Sequence, residues 1–422
     1  MAEHKVVNAD QLDADLTSVA DSIRTKAGTS DKLAFPAGMK EAVDNLNTFV
    51  PPSSMALDPD EVYRSTRPKD WLPMPTPGDD EIYLLNLIPE GLDGAFTALI
   101  WFTGECAVEF GNLVDGVFVA KETVTPTSGT RFFHTVYWDD YGDETSDGYR
   151  QYLVRIKGGF TSVNFSPESS TVYSYGVPML VDALSGAESD VAFSVNSTAE
   201  DNCRSLRYCR FVGNGRPKIT CLNIFRYCTN LIAVSTEKEL QVSTMQHSFA
   251  GCTKLVAVSK LFFTDSVSYH LAFYKSGIPA YPNKKIVPST ATSMFEEASG
   301  IVRIDGTYVD TSKCTSFDSF LYNCKTCLSV EKLDISSATN FYVAFKGTRL
   351  LNITFAGTTT PGGWTIDLST SRMSHKALVN MINSLPTAIS PATITITNNP
   401  GASELTDEEI AVATAKNWTV TI

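Results

Sequence analysis

Clustered positive charge is absent from this chain. Its 34 Lys and Arg residues are scattered among 47 Asp and Glu, leaving a formal net charge of −13. A phosphate backbone draws its partners through grouped Lys and Arg, so nucleic acid is excluded as the partner. No stretch approaches the roughly 18 consecutive apolar residues of a membrane helix, which excludes an inserted span. Met1-Ala2-Glu3-His4-Lys5 leads into a polar amphipathic segment without an apolar signal-peptide core, so the expected product is soluble and made in the cytosol. There is no phosphate-binding Gly-x-x-x-x-Gly-Lys-Ser/Thr loop and no Gly-x-Gly-x-x-Gly after a strand. None of the five histidines, His4, His134, His247, His270 and His375, stands near a Gly-x-Ser-x-Gly nucleophile signature. Cysteine is present nine times, an odd number in a long chain, which favours reduced buried thiols over a disulfide framework.

What is present is a ladder. An apolar anchor followed three positions later by a small residue recurs as Phe225…Cys228, Phe249…Cys252, Phe273…Ser276, Phe295…Ala298, Leu321…Cys324 and Phe345…Thr348, with anchor spacings of 24, 24, 22, 26 and 24. Leu231, Leu255, Ile301 and Leu351 follow three after the small position, and Val234, Val258 and Ile304 three later again. A unit of this size cannot bury its apolar side alone, so such a period predicts a solenoid of stacked coils sharing one core. The consensus follows leucine-rich-repeat logic, with one short strand per coil.

Around the ladder the chain divides into five parts. Residues 1–47 predict two short helices, with Leu12, Leu16, Val19 and Ile23 on one face of the first and Met39, Val43 and Leu46 on the second. Residues 48–79 are rich in proline (Pro51-Pro52, Pro68, Pro73, Pro75, Pro77) and predict an extended linker. Over 80–186, short aromatic and β-branched runs at 81–88, 98–102, 107–110, 116–119, 130–138 and 152–156 predict a β-sandwich. The solenoid occupies 187–365. An α/β cap over 366–422 closes it, with a helix at Ser374–Leu385, a strand at Ala392–Ile396, a helix with Thr406 as N-cap and Glu409 as capping-box partner, and a last strand at Trp418–Ile422. The expected fold is therefore multidomain and mainly β.

Chemistry is sparse. Cys324-x-x-Cys327 has zinc-ligand spacing, but a cage needs two to four converging ligands, and neither a second such pair nor a nearby His follows. The acidic stretch Asp139–Asp147 offers oxygen ligands for calcium without the ordered alternation of an EF-hand loop, and reads as a charged turn. No Asp/Glu pair stands on a distinctive glycosidase motif. No catalytic residue, cofactor or metal is assigned. The candidate recognition surface is a set of tyrosines outside the ladder, Tyr269, Tyr274, Tyr281, Tyr308, Tyr322 and Tyr342, because tyrosine gives rigid amphipathic contact area at small entropic cost.

Two stretches resemble known families. Residues 16–39, with Ile23-Arg24-x-Lys26-x-Gly28-x-x-Asp31…Phe35-Pro36-x-Gly38, look like a module near the N-termini of bacteriophage and prophage tail or baseplate proteins. Phe249-Ala250-Gly251-Cys252-Thr253-Lys254-Leu255-Val256-Ala257-Val258 resembles the Phe-x-x-Cys-x-x-Leu coils of BspA-type leucine-rich-repeat proteins; the coils around Phe273 and Leu321 depart from that pattern. The module order implies a non-enzymatic virion structural protein of tail-fibre or receptor-binding type. Residues 1–47 would dock on other tail or baseplate proteins, and the solenoid would meet a host-surface glycan or protein. A homo-oligomer such as a trimer would suit a tail appendage. The alternatives are an exported bacterial adhesin with the same repeats, and a polysaccharide-degrading tail spike.

Overall fold

The computed structural model describes residues 57–90, 95–96, 100–129, 131–132, 134–164, 179–186, 192–194, 204–212, 218–219, 223–239, 241–242, 244–259, 267–279 and 285–422. The helical module expected over 1–47, Tyr281 and two of the cysteines, Cys203 and Cys221, lie outside them.

The described chain is mainly β. Its first element falls inside the segment expected to be a linker. Helix α1 (Pro59–Thr66) is capped by the Asp58 carboxylate on the Asp60 N–H and begins with Pro59 in the first turn, where a missing N–H costs nothing. There follow β1 (Glu81–Pro89), β2 (Ile100–Val114), β3 (Val117–Val124), β4 (Tyr149–Asn164) and β5 (Met179–Ser185). The described part of the run expected at 98–102, from Ile100, thus belongs to one long strand with the run at 107–110. Asp115 and Gly116, with φ of 53° and 79°, form the tight turn between β2 and β3, the left-handed pair that a two-residue hairpin requires.

Next come β6 (Tyr208–Phe211), β7 (Ala233–Thr236) and β8 (Ala257–Val258). All of these join one sheet in the order β8-β7-β6-β5-β1-β4-β2-β3. Strand β5 is antiparallel to β1 on one edge and parallel to β6 on the other. The antiparallel unit and the solenoid therefore share a sheet, and β5 is the first rung of the stack. Besides this sheet, the described part of 80–186 holds a two-stranded ribbon, Ala95–Phe96 with Thr135–Val136.

Strand β1 is buried along its length because both its faces are covered. Ile82, Leu84 and Ile88 belong to a core running on through Phe225 and Phe295 to Trp418. Leu85 and Leu87 face a second cluster with Val62 of α1, Trp71, Tyr208, Ala233 and Ala257. Residues 57–77 thus lie as a strap over the first solenoid strands. The strap is held by buried charge: Asp182 accepts from Arg67 Nε at 2.8 Å and from the Tyr63 hydroxyl at 2.9 Å, while the Arg210 guanidinium stands 3.8 Å from the Tyr63 ring centre.

Farther along, β9 (Arg303–Asp305), β10 (Ser329–Asp334) and β11 (Asn352–Ala356) form a parallel sheet. At the end, β12 (Thr365–Asp367), β13 (Ala392–Thr395) and β14 (Trp418–Thr421) form another, with helices α2 (His375–Ser384) and α3 (Asp407–Thr414) as the crossovers. The cap follows its expected elements closely. Ser374 caps α2, and Thr406 with Glu409 makes the capping box of α3.

Candidate functional site

The ladder builds a second hydrogen-bonded face opposite the strands. Each anchor N–H donates to the residue just before the next anchor: Phe225 to the Ser248 carbonyl, Phe249 to Ala272, Phe273 to Met294, Phe295 to Phe320 and Leu321 to Ala344, all within 2.8–3.0 Å. The residues two before and two after each anchor donate in the same way, for example His247 to His270 and Gly251 to Tyr274. Alternate N–H groups instead close local turns onto the carbonyl three residues back, as Ala250 does to His247 and Cys252 to Phe249. Together these bonds make a ribbon of turns stitched from coil to coil.

The ribbon requires left-handed backbone at two positions per coil. Two residues before the anchor stand Asn223, His247, Leu271, Ser293, Ser319 and Val343; two after stand Tyr227, Gly251, Lys275, Glu297, Asn323 and Gly347; all have positive φ. Only two of the twelve are glycine, and inter-coil bonding holds nine of the other ten, all but Val343, in a region that ordinarily disfavours a Cβ. A hydroxyl or amide five before the anchor opens each described turn: Thr244 accepts from the Gln246 N–H, Ser268 from His270, Thr290 from Thr292, Ser316 from Asp318 and Asn340 from Tyr342.

Inside, the anchors stack. The rings of Phe225, Phe249, Phe273 and Phe295 follow one another at 5.5, 5.6 and 5.4 Å. The small positions Cys228, Cys252, Ser276, Ala298, Cys324 and Thr348 are all buried. Cys252 donates its thiol to the Phe225 carbonyl and Cys324 to the Ala298 carbonyl. Cys327 takes the position that Leu231 and Leu255 hold in earlier coils, so the Cys-x-x-Cys pair fills two inward slots of one coil. In the coil of Phe345 it is Leu350, rather than the expected Leu351, that is fully buried. None of the seven described cysteines is in a disulfide and all are buried, and no cluster of three or more metal-ligating side chains occurs among the described residues. In the acidic loop, Asp140 accepts from the Tyr137 N–H, Asp143 from the Asn112 amide, and Asp139 pairs with Arg150.

The expected tyrosines do not share one surface. Tyr269 is wholly buried in the stack, where a recognition role is closed to its ring. Tyr308 is half-buried beside the Ile286–Val309 bridge, away from the ribbon. Tyr274 and Tyr322, each one residue after an anchor, and Tyr342, three before, lie on the ribbon; Tyr342 is 70% exposed.

The same face holds residues that the sequence reading passed over. Arg226 lies one position after its anchor, in the column of Tyr274, with its guanidinium 4.9 Å from the ring centre of Tyr227. Between Arg226 and Tyr274 the column narrows to Ala250, 1% exposed, and the adjoining column to Gly251. A Cβ on Gly251 would come within 2.5 Å of the Tyr227 ring, so the glycine lets that ring lie across the next coil. The His247 and His270 rings, two residues before Phe249 and three before Phe273, meet edge to face at 5.4 Å. The Lys275 ammonium lies 4.9 Å from the Tyr274 ring centre and 3.7 Å from the Glu297 carboxylate. Ala250 and Gly251 are thus both buried, Gly251 beneath the Tyr227 ring, with Arg226 on the preceding coil and Tyr274 and Lys275 on the following one. The signal for these residues is the repeat register, which places every side chain one or two after an anchor in the same column.

No family model, no curated protein and no solved structure matches this chain. The class of protein is defined by the fold itself: a β-solenoid entered through an antiparallel sheet and closed by α/β coils.

Proposed function

We propose that the chain is a virion structural protein of a phage tail or baseplate, of tail-fibre or receptor-binding type. In this reading residues 1–47 dock it on other tail proteins, the antiparallel unit, expected as a sandwich, acts as spacer, and the solenoid is a BspA-type leucine-rich repeat that meets the host surface. It binds without turnover. The observation that carries the reading is the β-solenoid with aromatic and charged side chains ranked in columns on its ribbon face, a geometry compatible with a fibre or spike. A stack presents one side chain per coil every ~4.8 Å, which suits extended repetitive ligands, and many copies on one particle would add avidity. A trimer would present three such faces.

Two measurements test this. Immunogold labelling of particles is expected to mark the tail, and labelling confined to bacterial envelopes would overturn the virion role. Purified protein is expected to adhere to host cells and to release no new reducing ends or unsaturated sugars from their capsule. Clear turnover would establish a degrading spike instead.

A further inference from the structure

One coil gives two of its inward positions to sulfur. Cys324 stands in the small column and Cys327 in the slot that Leu231 and Leu255 hold, on either side of the turn at Lys325 and Thr326. Such a turn brings its first and fourth Cα atoms within about 7 Å, close to the span that a disulfide bridges. Both side chains are wholly buried, and the two sulfurs are hydrogen-bonded to each other. The N–H groups of Thr326 and Cys327 also donate to the Cys324 sulfur, and the Thr326 hydroxyl stands 4.0 Å from it. In the coils of Phe225 and Phe249 the matching N–H groups, those of Leu231 and Leu255, serve the carbonyls of Cys228 and Cys252. Burial pushes the Cys106 and Cys314 thiols up to about 12. Cys324 is buried as completely as Cys314, yet the Cys327 thiol first, and then the donors of Cys327 and Thr326, hold it below its ordinary range; the same contact pushes Cys327 well above.

We propose that Cys324 and Cys327 are a modification site, a dithiol that hydrogen peroxide closes into a disulfide within one coil. The proposal is independent of the host-binding reading above. Lys325 is exposed at the tip of the turn, so the pair lies one residue beneath the surface, and local opening of the turn admits an oxidant of this size. The Cys324 thiolate attacks one peroxide oxygen: an S–O bond forms, the O–O bond breaks, and the leaving hydroxide takes up the proton released by the thiol, giving water and a sulfenic acid. The Cys327 sulfur then attacks the Cys324 sulfur: the S–S bond forms, the S–O bond breaks, and the hydroxyl leaves with the Cys327 proton as a second water. The two thiols are oxidised by two electrons and the peroxide is reduced by the same two. Cysteine is smaller than leucine, so this coil gives up apolar contact in that slot, and the new bond closes the turn covalently instead.

The test is to treat the folded full chain with hydrogen peroxide, cap the remaining thiols with iodoacetamide in denaturant, and map tryptic peptides by mass spectrometry. Trypsin cuts after Lys313, Lys325 and Lys332, so the two cysteines fall in separate peptides, and Cys314, in the same peptide as Cys324, serves as an internal control. Peroxide is expected to join peptide 314–325 to peptide 326–332 with the loss of two hydrogens, fragment spectra placing the link on Cys324. The link is expected to form at least about tenfold faster than Cys314 is lost to capping, because the thiolate is the reacting species. Dithiothreitol is expected to part the peptides again. Cys327→Ser is expected to leave Cys324 as a sulfenic acid that dimedone traps, and Cys324→Ser to leave Cys327 as slow as Cys314. A circular dichroism spectrum matching the parent shows that each variant is folded, and the parent's own peptide map decides the matter without them. Both cysteines capped as fully as Cys314, a link from Cys324 to another cysteine, or a link that forms only when peroxide is added in denaturant would each overturn the proposal.

Discussion

A single residue in this stack is constrained chiefly by volume. Cys252 sits between Phe225 of the preceding coil and its own turn, fully buried, with its thiol on a backbone carbonyl. Cys252→Leu is expected to destabilise by about 1–3 kcal/mol through overpacking, while Cys252→Ala and Ser276→Cys, staying within the sizes the column accepts, are expected to cost less. Urea midpoints at constant m-value check this, and a Leu variant as stable as the parent would contradict the size constraint. The backbone is as tightly fitted at Gly300, where an added Cβ would lie 2.0 Å from the Gly277 carbonyl oxygen of the neighbouring coil. Gly300→Ala is therefore expected to lower the midpoint although its φ is unremarkable, because two coils must separate to admit the methyl. The anchors and small positions were legible in the sequence because they recur with period and chemistry together. The left-handed positions were not: His247, Leu271, Lys275 and Val343 share a backbone conformation and no side-chain property. What unites the first three is a bond to the next coil, and periodicity of hydrophobicity carries no trace of it.

Elements differ in how local their causes are. The cap was readable because its helices carry their own signals, Ser374 for α2 and the Thr406–Glu409 box for α3. Glu409 also meets His375 Nε2 at 2.9 Å, and this bond, followed by the Thr406 N–H, holds the Glu409 carboxyl below its ordinary range. The folded-state value lies below the unfolded one, so the contribution is present at neutral pH and is lost as pH falls through the folded value. Glu409→Gln is expected to flatten the acid limb of the stability curve, measured as urea midpoints across pH, and an unchanged limb would show the pair to be inert. Helix α1 was not legible: the prolines from Pro51 to Pro77 dominate the composition, and the helix depends on tertiary contacts of Val62, Tyr63 and Arg67. Asp182 anchors those contacts at 0% exposure, and burial pushes its carboxyl above the ordinary range. Asp182→Ala leaves Arg67 without its ion-pair partner and is expected to cost about 3–5 kcal/mol. Faster tryptic cleavage at Arg64 or Arg67 would show that the strap has lifted, and an unchanged cleavage rate would mean that apolar packing alone holds it.

At the scale of the whole molecule, the sequence suggests a chain of separate bodies, and the described structure joins two of them through β5. Strand β5 belongs to the antiparallel unit by its pairing with β1 and to the solenoid by its pairing with β6. The composition changes near residue 187, after that shared strand, and hydrogen-bond topology has no compositional mark. Because one core runs from Ile82 to Trp418, unfolding by urea is expected to follow a single transition in which tryptophan fluorescence and far-ultraviolet circular dichroism coincide. Two resolved transitions would show that the shared sheet does not couple the halves.

The ribbon also bears on how such a molecule can change its reach. Every coil from Phe225 to Leu321 passes on the same three backbone bonds that it would accept from the coil before, whatever its side chains. A block of about 24 residues can then be gained or lost with both junctions intact, moving the cap outward or inward by ~4.8 Å per block. The strap over the first strands and the helices of the last coils would be untouched by such an edit. Length is thus an adjustable dimension of this design, independent of the parts that begin and end it.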